Sequence, residues 1–216
     1  VSAGSFTFDL FIHGHAGHGS RPDLANSPIE CFVDIYTALS AIRLRKISPF
    51  SPLTFSLGCV QAGAASNAIP DDLEFKGTAR FYDFESGKTF KENMIEILNN
   101  ICPLYNCSYD GYMGGINRAT INNPECVTLA EKAIGDVIGS DKITAIEPSM
   151  GAETMSRALL KWPGCYVRLG TRNLAKGSDT RSHTAEFDID EDALKYGVAA
   201  HLAYAFAFLE SDIDTS

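Results

Sequence analysis

The spacing of apolar residues changes several times along the first half of the chain, between a period of two and a period near 3.6. Phe6, Phe8 and Leu10 occupy alternate positions, which predicts a half-buried strand over residues 5–13. The same two periods then indicate, in order, a helix after Ser27, strands at 54–60 and 73–79, a helix around 90–101 and a strand at 107–112. This order of strands and helices predicts a ferredoxin-like βαββαβ sandwich of about 110 residues.

The first helix carries a specific start signal. Ser27 and Glu30 have the spacing of a capping box, and Pro28 occupies the first helical position, where its missing N–H costs nothing. Apolar residues at helical spacing follow, so we expect this helix to bury one face.

The second half of the chain mixes helical and extended patterns. They lie, in order, at 124–139 (helix), 143–146 (strand), 152–160 (helix), 165–169 (strand) and 190–209 (helix). The last helix is apolar on almost every side, which predicts that it is deeply packed. A polar, unpatterned loop at 170–182 leads to His183.

The second half is short of strands. Two short strands do not make a stable sheet by themselves, so we expect further strands to come from sequence before Val1. Val1 is not a methionine and a strand pattern begins almost at once, which suggests part of a larger protein. We therefore predict an α/β (α+β) chain with two domains, 1–113 and 114–216.

Charge and cysteine usage exclude several classes of function. The chain has 18 Lys and Arg against 27 Asp and Glu, a net charge of −9, so nucleic acid and anionic membrane surfaces are poor partners. No run approaches the roughly 18 apolar residues that span a bilayer. Six cysteines are spread widely with no Cys-x-x-Cys pair. This pattern predicts buried free thiols in a soluble protein of a reducing compartment, the cytoplasm.

Histidines cluster after the first strand. His13 and His15 share one face of a strand, so a zinc site that uses both is geometrically possible. The alternative is a solvent-facing strand end without a ligand. His18 differs, because Gly17 and Gly19 flank it and would let the imidazole reach a ligand.

Two further places combine polar side chains with loop or strand ends. Asn67 offers an amide donor, and Arg80 offers a bidentate fork for a carboxylate. A hairpin turn residue and a surface arginine are the alternative. Glu153 at a helix start and His183 at a loop end could meet at a metal, although a lone histidine usually has no such role. The chain has no glycine-rich phosphate loop, His-Glu-x-x-His or Gly-x-Ser-x-Gly motif.

Five motifs in a fixed order resemble those of the metal-dependent amidohydrolases. They are Gly-His-Gly-Ser-Arg-Pro-Asp at 17–23, Ala-Ser-Asn-Ala-Ile-Pro-Asp at 65–71, Gly-Thr-Ala-Arg at 77–80, Gly-Ala-Glu at 151–153 and His-Thr-Ala-Glu-Phe-Asp-Ile-Asp-Glu at 183–191. The resemblance is to the aminoacylase, hippurate hydrolase and indole-acetyl-amino-acid hydrolase group, related to carboxypeptidases and succinyl-diaminopimelate desuccinylases. It implies that 1–113 is an inserted lid or dimerisation domain and that 114–216 is the C-terminal half of the α/β catalytic domain.

The resemblance also implies roles for individual residues. His183 matches a metal-ligand histidine, and Glu153 matches an acidic residue near the metals. His18 is similar to a lid histidine that reaches the active site of the neighbouring subunit and polarises the scissile carbonyl. Asn67 and Arg80 match lid residues that bind the carboxylate or backbone of the substrate.

The family's remaining metal ligands and its general-base glutamate are absent from these 216 residues. A catalytic metal needs at least three protein ligands, and His183 with Glu153 supplies at most two. The resemblance implies one or two zinc or manganese ions in a complete site. We therefore expect a fragment of a homodimeric amidohydrolase that cleaves N-acyl amino acids, related amides or peptides, inactive by itself.

Two other interpretations stay open. One is a non-catalytic dimerisation or ligand-binding protein that keeps the lid without the metal-binding half. The other is a metal-binding module built on His13, His15 and His18.

Overall fold

The computed structural model describes residues 1–180 and 182–214. Its strands and helices are β1 (Ser2–His13), β2 (Gly17–His18), α1 (Pro28–Arg45), β3 (Leu53–Ala62), β4 (Ala68–Ile69), β5 (Asp72–Phe81), α2 (Phe84–Leu104), β6 (Ser108–Met113), α3 (Pro124–Ile138), β7 (Ser149–Ala152), α4 (Ser156–Leu159) and α5 (Leu194–Leu209). Arg181, inside the loop predicted at 170–182, lies outside the described residues.

The chain forms two compact units. The first contains Val1–Thr120 and Pro148–Ser156, and the second contains Ile121–Glu147 and Arg157–Ser216. The division into a lid at 1–113 and a catalytic segment at 114–216 stays a prediction.

The first unit is built on an antiparallel sheet in the order β3-β5-β1-β6, with α1 and α2 packed on one face. Numbered 1 to 4 along the chain, the strands β1, β3, β5 and β6 lie in the sheet in the order 2-3-1-4. This is the ferredoxin-like arrangement of a βαββαβ unit. The fold predicted from the order of hydrophobic periods is therefore confirmed. A short strand that the sequence pattern did not predict, β7, pairs in parallel with the start of β1.

Alternation along the strands places the core between this sheet and the two helices. Phe6, Phe8, Leu10 and Ile12 of β1 are at most 2% exposed, and the residues between them face away from the helices. The start of α1 also follows the prediction, because the Ser27 hydroxyl accepts a hydrogen bond from the Glu30 N–H.

The second unit departs from the sequence-based expectation in its strands. Residues 143–146 and 165–169 are not strands, and the helix predicted at 152–160 is only Ser156–Leu159. A strand needs a neighbour that satisfies its backbone groups. At Tyr166 an amide side chain supplies this instead: Asn122 Nδ2 donates to the Tyr166 carbonyl at 3.0 Å, and Asn122 Oδ1 accepts from its N–H at 2.8 Å.

The prediction of deep packing for the last helix is wrong. None of residues 194–209, all of them described, is buried. The helix packs against α3, which covers only part of a surface that is apolar on almost every side. An apolar helix is buried only where enough partner surface is present.

The cysteines are free thiols, and four of them are buried: Cys31, Cys102, Cys107 and Cys126. Burial raises the pKa of the Cys107 thiol, which is typical of unreactive structural cysteines. Over the described ranges, the longest apolar helices fall short of what crossing a membrane requires.

Candidate functional site

Two sequence motifs meet in a small ribbon of the first unit, which we call the His18 ribbon (β2 with β4). Gly17 pairs with Ile69 and His18 with Ala68 in antiparallel register. The Gly19 N–H then donates to the Asn67 carbonyl at 2.8 Å. A Cβ atom on Gly19 would lie 3.2 Å from that carbonyl oxygen, so the glycine permits this close approach. The structure therefore brings His18 and Asn67 together, although the sequence separates them widely.

The ribbon is anchored to the end of the sheet. The Gly14 N–H donates to the Asp71 carbonyl at 2.7 Å, and the Ala16 N–H donates to the Asp71 carboxylate at 2.6 Å. His15 and Asn26 exchange two backbone hydrogen bonds, at 2.9 and 3.0 Å. These contacts hold the glycine-rich segment that carries His18 in one backbone path.

His18 is exposed at the tip of the ribbon, and its ring has a defined partner. His18 Nδ1 lies 3.1 Å from the Ser20 N–H donor nitrogen and 2.8 Å from Ser20 Oγ. Just beyond, the Arg21 guanidinium donates to both oxygens of Asp23, at 2.9 and 2.7 Å, and this pairing lowers the pKa of the Asp23 carboxyl group.

Arg80 lies on the sheet itself, between Ser5 of β1 and Thr54 of β3. Gly77, three residues earlier on β5, explains why the Gly-Thr-Ala-Arg motif at 77–80 begins with a glycine. Gly77 faces the core, where an added Cβ would lie 2.4 Å from the Phe8 ring and 2.5 Å from the Ser56 carbonyl oxygen. Arg80 points to the opposite face and is half-buried. Its guanidinium makes no hydrogen bond or ion pair with any residue that the structure describes, which leaves it open to an anionic ligand.

Asn67 and Arg80 lie near opposite ends of the sheet. The His18 ribbon leaves the sheet where β1 ends and β5 begins, whereas Arg80 stands next to the far end of β5 at Phe81. At about 3.4 Å per residue, Asp72 and Arg80 are separated by roughly 27 Å. The structure therefore does not bring Arg80 next to Asn67 within one chain.

His13 has a structural partner rather than a free ring. Its Nδ1 lies 2.6 Å from Asp72 Oδ1, and its Nε2 lies 3.3 Å from Asp110 Oδ1. The hydrogen bond with Asp72 raises the pKa of His13. Over residues 1–180 and 182–214, no three His, Cys, Asp or Glu side chains are grouped so that they could hold a metal ion. The hypothesis of a metal module on His13, His15 and His18 is therefore wrong.

Glu153 directly follows β7, whose pairing with β1 places it in the first unit. The Glu153 carbonyl accepts from the Ser156 hydroxyl at 3.0 Å, which closes the turn into α4. The carboxylate is half-buried and has no hydrogen-bond or ion-pair partner in the part of the chain that the structure describes. It is therefore available as a ligand.

His183 belongs to the second unit and is exposed, with a backbone φ of 68°. This left-handed conformation is unusual for a residue with a side chain. The segment that follows it is held by hydrogen bonds at Asp190. The Asp190 carboxylate accepts one from Asn173 Nδ2 at 2.6 Å and one from Lys176 Nζ at 2.7 Å. These bonds lower the pKa of Asp190 to about 2.

Sequence reasoning missed two features of these sites. The first is Ser20 as the partner of the His18 ring, for which the available signal was a serine two residues after a histidine in a glycine-rich turn. The second is the Asn173–Lys176–Asp190 network, which has no local sequence signature.

The comparisons with known proteins agree with this fold. Residues 2–106 match the peptidase dimerisation domain of the M20 type. Two thermostable carboxypeptidases of Saccharolobus solfataricus are each 36% identical over 202 residues, 93% of this chain and 51% of their own length. Residues 2–106 are thus similar to an M20 peptidase dimerisation domain, and the relatives of the chain are hydrolases of that family. The IAA-amino acid hydrolase ILR1-like 2 of Arabidopsis thaliana is 26% identical over 96% of this chain and 48% of its own length.

Solved structures show the same fold along nearly the whole chain. A dinuclear metal-binding M20 peptidase of Bacillus subtilis matches with a TM-score of 0.68 and 22% identity, over 97% of this chain and 51% of that one. The aminopeptidase PepT of Bacillus cereus matches with a TM-score of 0.70 and 15% identity, over 96% and 52%. The chain spans about half the length of the curated relatives that it matches.

Proposed function

We propose that this chain is part of a divalent-metal amidohydrolase of the M20 type that cleaves N-acyl amino acids, related amides or peptides. The observation that carries the proposal is that His18 and Asn67 lie beside each other at one end of the His18 ribbon, together with an arginine, Arg80, that has no acidic partner among the described residues. These groups are donors suited to an amide carbonyl and to a free carboxylate. Substrates of both the carboxypeptidase and the amino-acid-conjugate hydrolase types contain these two groups.

Each residue of the first unit has a distinct task in this proposal. His18 donates a hydrogen bond to the oxygen of the scissile carbonyl as negative charge develops there. The Asn67 amide binds the backbone of the substrate beside it. Arg80 forms a bidentate pair with the terminal carboxylate and so fixes the substrate's orientation.

We propose His183 as a ligand of one or two divalent ions, zinc or manganese, and Glu153 as an acidic residue near the metals of the complete enzyme. An imidazole and an unpaired, half-buried carboxylate are suitable donors for either ion. Two ligands are fewer than the three that a catalytic metal needs, so further ligands and the general base are assigned to the portion of the relatives' length that this chain does not match. When bound, the metal would polarise the carbonyl and activate water.

The separation along β5 favours a homodimer with composite sites. A small substrate cannot bridge the His18 ribbon and Arg80 of one chain across roughly 27 Å. A two-fold dimer can bring the ribbon of one subunit to the Arg80 of the other. The β3 edge and the adjoining part of α1 offer a suitable surface: Tyr36 contacts Phe55 with ring centroids 6.0 Å apart, and Val33 and Val60 are exposed.

Subunit mixing of the whole protein, loaded with zinc or manganese, tests this proposal on hippurate-like substrates. His18→Ala should lower kcat by about 10²–10³-fold, since it removes one donor to the oxyanion. Arg80→Ala should raise KM for substrates with a free carboxylate and not for their primary amides. In refolded mixtures of the two variants, random pairing should restore about a quarter of the wild-type kcat/KM, because half the dimers are mixed and one site in each is intact.

The control is His15→Ala, since this exposed neighbour of the ribbon has no role in the proposal. It should keep wild-type kcat. Verified mixed dimers without recovered activity would contradict the composite site. Absence of turnover by the metal-loaded wild type on every N-acyl amino acid, amide and peptide tried would instead favour a non-catalytic ligand-binding or dimerisation protein.

We also propose that the protein is cytoplasmic. The free, mostly buried thiols support this location, because thiols stay reduced in the cytoplasm.

A further inference from the structure

Ser20 is a polar residue in the His18 ribbon that none of these roles uses. We infer that Ser20 is a positioning residue that holds the neutral His18 imidazole as the Nε2–H tautomer. Its consequence for catalysis rests on the proposed function, whereas the tautomer itself does not. The inference follows from which atoms in this turn can donate and which can only accept.

The backbone N–H of Ser20 settles the state of one ring nitrogen. An amide N–H can only donate, and it points at His18 Nδ1 with a nitrogen–nitrogen distance of 3.1 Å. Nδ1 must therefore present its lone pair rather than a proton. A neutral imidazole has one donor and one acceptor nitrogen, so the proton is on Nε2. Ser20 Oγ, 2.8 Å from the same Nδ1, adds a second donor to the same acceptor.

The turn keeps these donors in place. The Arg21 N–H donates to the His18 carbonyl at 2.8 Å, which closes a turn over residues 18–21. The Gly19 N–H is bound to the Asn67 carbonyl, also at 2.8 Å, so the ribbon fixes the turn from the side. Because the backbone is held on both sides of Ser20, its N–H and hydroxyl have a defined position relative to the ring.

His13 shows the opposite arrangement a few residues earlier. Its Nδ1 faces the Asp72 carboxylate at 2.6 Å, and a carboxylate can only accept, so Nδ1 carries a proton there. His15 has a third environment: its ring has no hydrogen bond with any residue in the described ranges, and it is exposed. The three histidines therefore form an internal comparison within one short segment.

The Nε2–H tautomer is the form that the proposed role of His18 requires. With Nδ1 occupied by Ser20, the remaining ring nitrogen, Nε2, is a donor and can bind a developing oxyanion. In the other tautomer the same nitrogen would direct a lone pair at that oxygen. Ser20 would thus raise the fraction of His18 that is competent as a donor before substrate arrives.

Nitrogen-15 NMR of the histidine-labelled chain tests the tautomer without any turnover. At a pH where the rings are neutral, His18 should have protonated Nε2 and unprotonated Nδ1, with a fraction of Nδ1–H several-fold lower than that of His15. Ser20→Ala removes the hydroxyl donor but keeps the backbone N–H, so it should move this fraction only part of the way towards the His15 value, and Ser20→Thr should restore it. Ser48→Ala is the matched control, since Ser48 is another exposed turn serine with a local hydrogen bond.

Either of two NMR results would overturn the inference. One is an equal Nδ1–H fraction for His18 and His15 in the wild type, which overturns the tautomer. The other is a His18 fraction that Ser20→Ala leaves unchanged, which overturns the positioning role of the Ser20 side chain, because the backbone N–H would then act alone. Assignment by His18→Gln and unchanged circular dichroism of each variant keep these readings unambiguous.

Kinetics of the whole, metal-loaded protein separate this inference from the proposed function. Ser20→Ala should lower kcat by about tenfold, the effect of one ordinary hydrogen bond, with little change in KM. Ser20→Thr should retain activity, and Ser48→Ala should match the wild type. If His18→Ala is slow while Ser20→Ala equals the wild type, the positioning role fails and the proposed function stands. If His18→Ala is fully active, the proposed role of His18 fails, and the NMR result alone decides the tautomer.

Discussion

The two units of the chain bury similar apolar patterns to different extents. In the first unit, Phe8 and Phe75 are at most 2% exposed, because two helices cover the apolar face of the sheet. In the second unit, Val198 and Phe206 of α5 are 61% and 65% exposed. Both segments are strongly apolar in sequence. The difference shows that such a pattern predicts a surface that favours burial but does not tell which chain segment buries it.

Backbone hydrogen bonding differs between the units in the same way. Strand β1 pairs with β5 on one side and with β6 on the other. Residues 165–169 have the composition of a buried strand, yet the backbone of Tyr166 finds the side chain of Asn122 as its partner. In the first unit, the apolar side chains are buried and the strand backbones are hydrogen-bonded by residues of the same unit. In the second unit, this holds for only part of the apolar surface and of the extended backbone.

The largest expected effect comes from removing one large aromatic residue from each unit. Phe8→Ala should reduce the free energy of unfolding by about 3–5 kcal/mol, because it leaves a cavity among Phe6, Phe75 and their neighbours. Phe206→Ala should change it by no more than about 0.5 kcal/mol, as expected for an exposed position. Urea unfolding followed by circular dichroism measures both.

Trp162 makes this comparison specific to each unit. It is the single tryptophan of the chain and belongs to the second unit, so its fluorescence reports on that unit. Phe8→Ala should shift the transition seen by circular dichroism more than the one seen by Trp162. Equal losses of stability for the two substitutions would contradict the difference in packing between the units.

A smaller effect is expected from two glycines of the first sheet. Gly77→Ala should cost about 1–3 kcal/mol, because the new Cβ would meet the Phe8 ring and the Ser56 carbonyl oxygen, and a strand carbonyl cannot easily move. Gly58→Ala is the matched change on β3, where an added Cβ has no atom within 4 Å. It should be neutral or stabilising by a few tenths of a kcal/mol.

Thermal and urea unfolding of the two alanine variants measure this difference. If Gly77→Ala were as stable as Gly58→Ala, the glycine of the Gly-Thr-Ala-Arg motif would have no packing role. Its presence beside Arg80 would then need another explanation.

The sequence predicted the elements whose signals are local. Ser27 and Glu30 form the start of α1 as expected, and the order of periods correctly predicted the ferredoxin-like sheet. The predictions of strands at 143–146 and 165–169 were wrong, because a strand depends on a neighbouring strand that no local pattern specifies. The exposure of α5 was missed for the same reason.

The candidate site shows the same limit. The motif order placed His18, Asn67 and Arg80 in one predicted domain, but only the strand register shows that the last two lie near opposite ends of β5. The contact between Ser20 and His18 depends on the turn geometry of a few residues. Residue spacing gave the types of group at the site and could not give their distances.

The smallest expected effect concerns pH and the ion pair at the ribbon end of the sheet. His13 lies between Asp72 of β5 and Asp110 of β6, and the hydrogen bond with Asp72 raises its pKa in the folded chain. A histidine whose pKa is raised by folding stabilises the fold most when it is protonated in both states. The contribution is therefore complete below its usual unfolded value and is lost as pH rises through the raised folded value. Because the side chain is 38% exposed, we expect less than about 1 kcal/mol.

Unfolding of the first unit, measured between about pH 5.5 and 8.5, should therefore show a small loss of stability with rising pH in the wild type. His13→Gln should remove most of that slope, since glutamine cannot bind the proton. His15→Gln should leave it unchanged, because the exposed His15 ring has no carboxylate partner in the described ranges. A slope that survives in His13→Gln and disappears in His15→Gln would assign the pH dependence to His15, next to the His18 ribbon, instead of His13 on the sheet. It would also show that the first unit's stability depends on the segment that carries the candidate site.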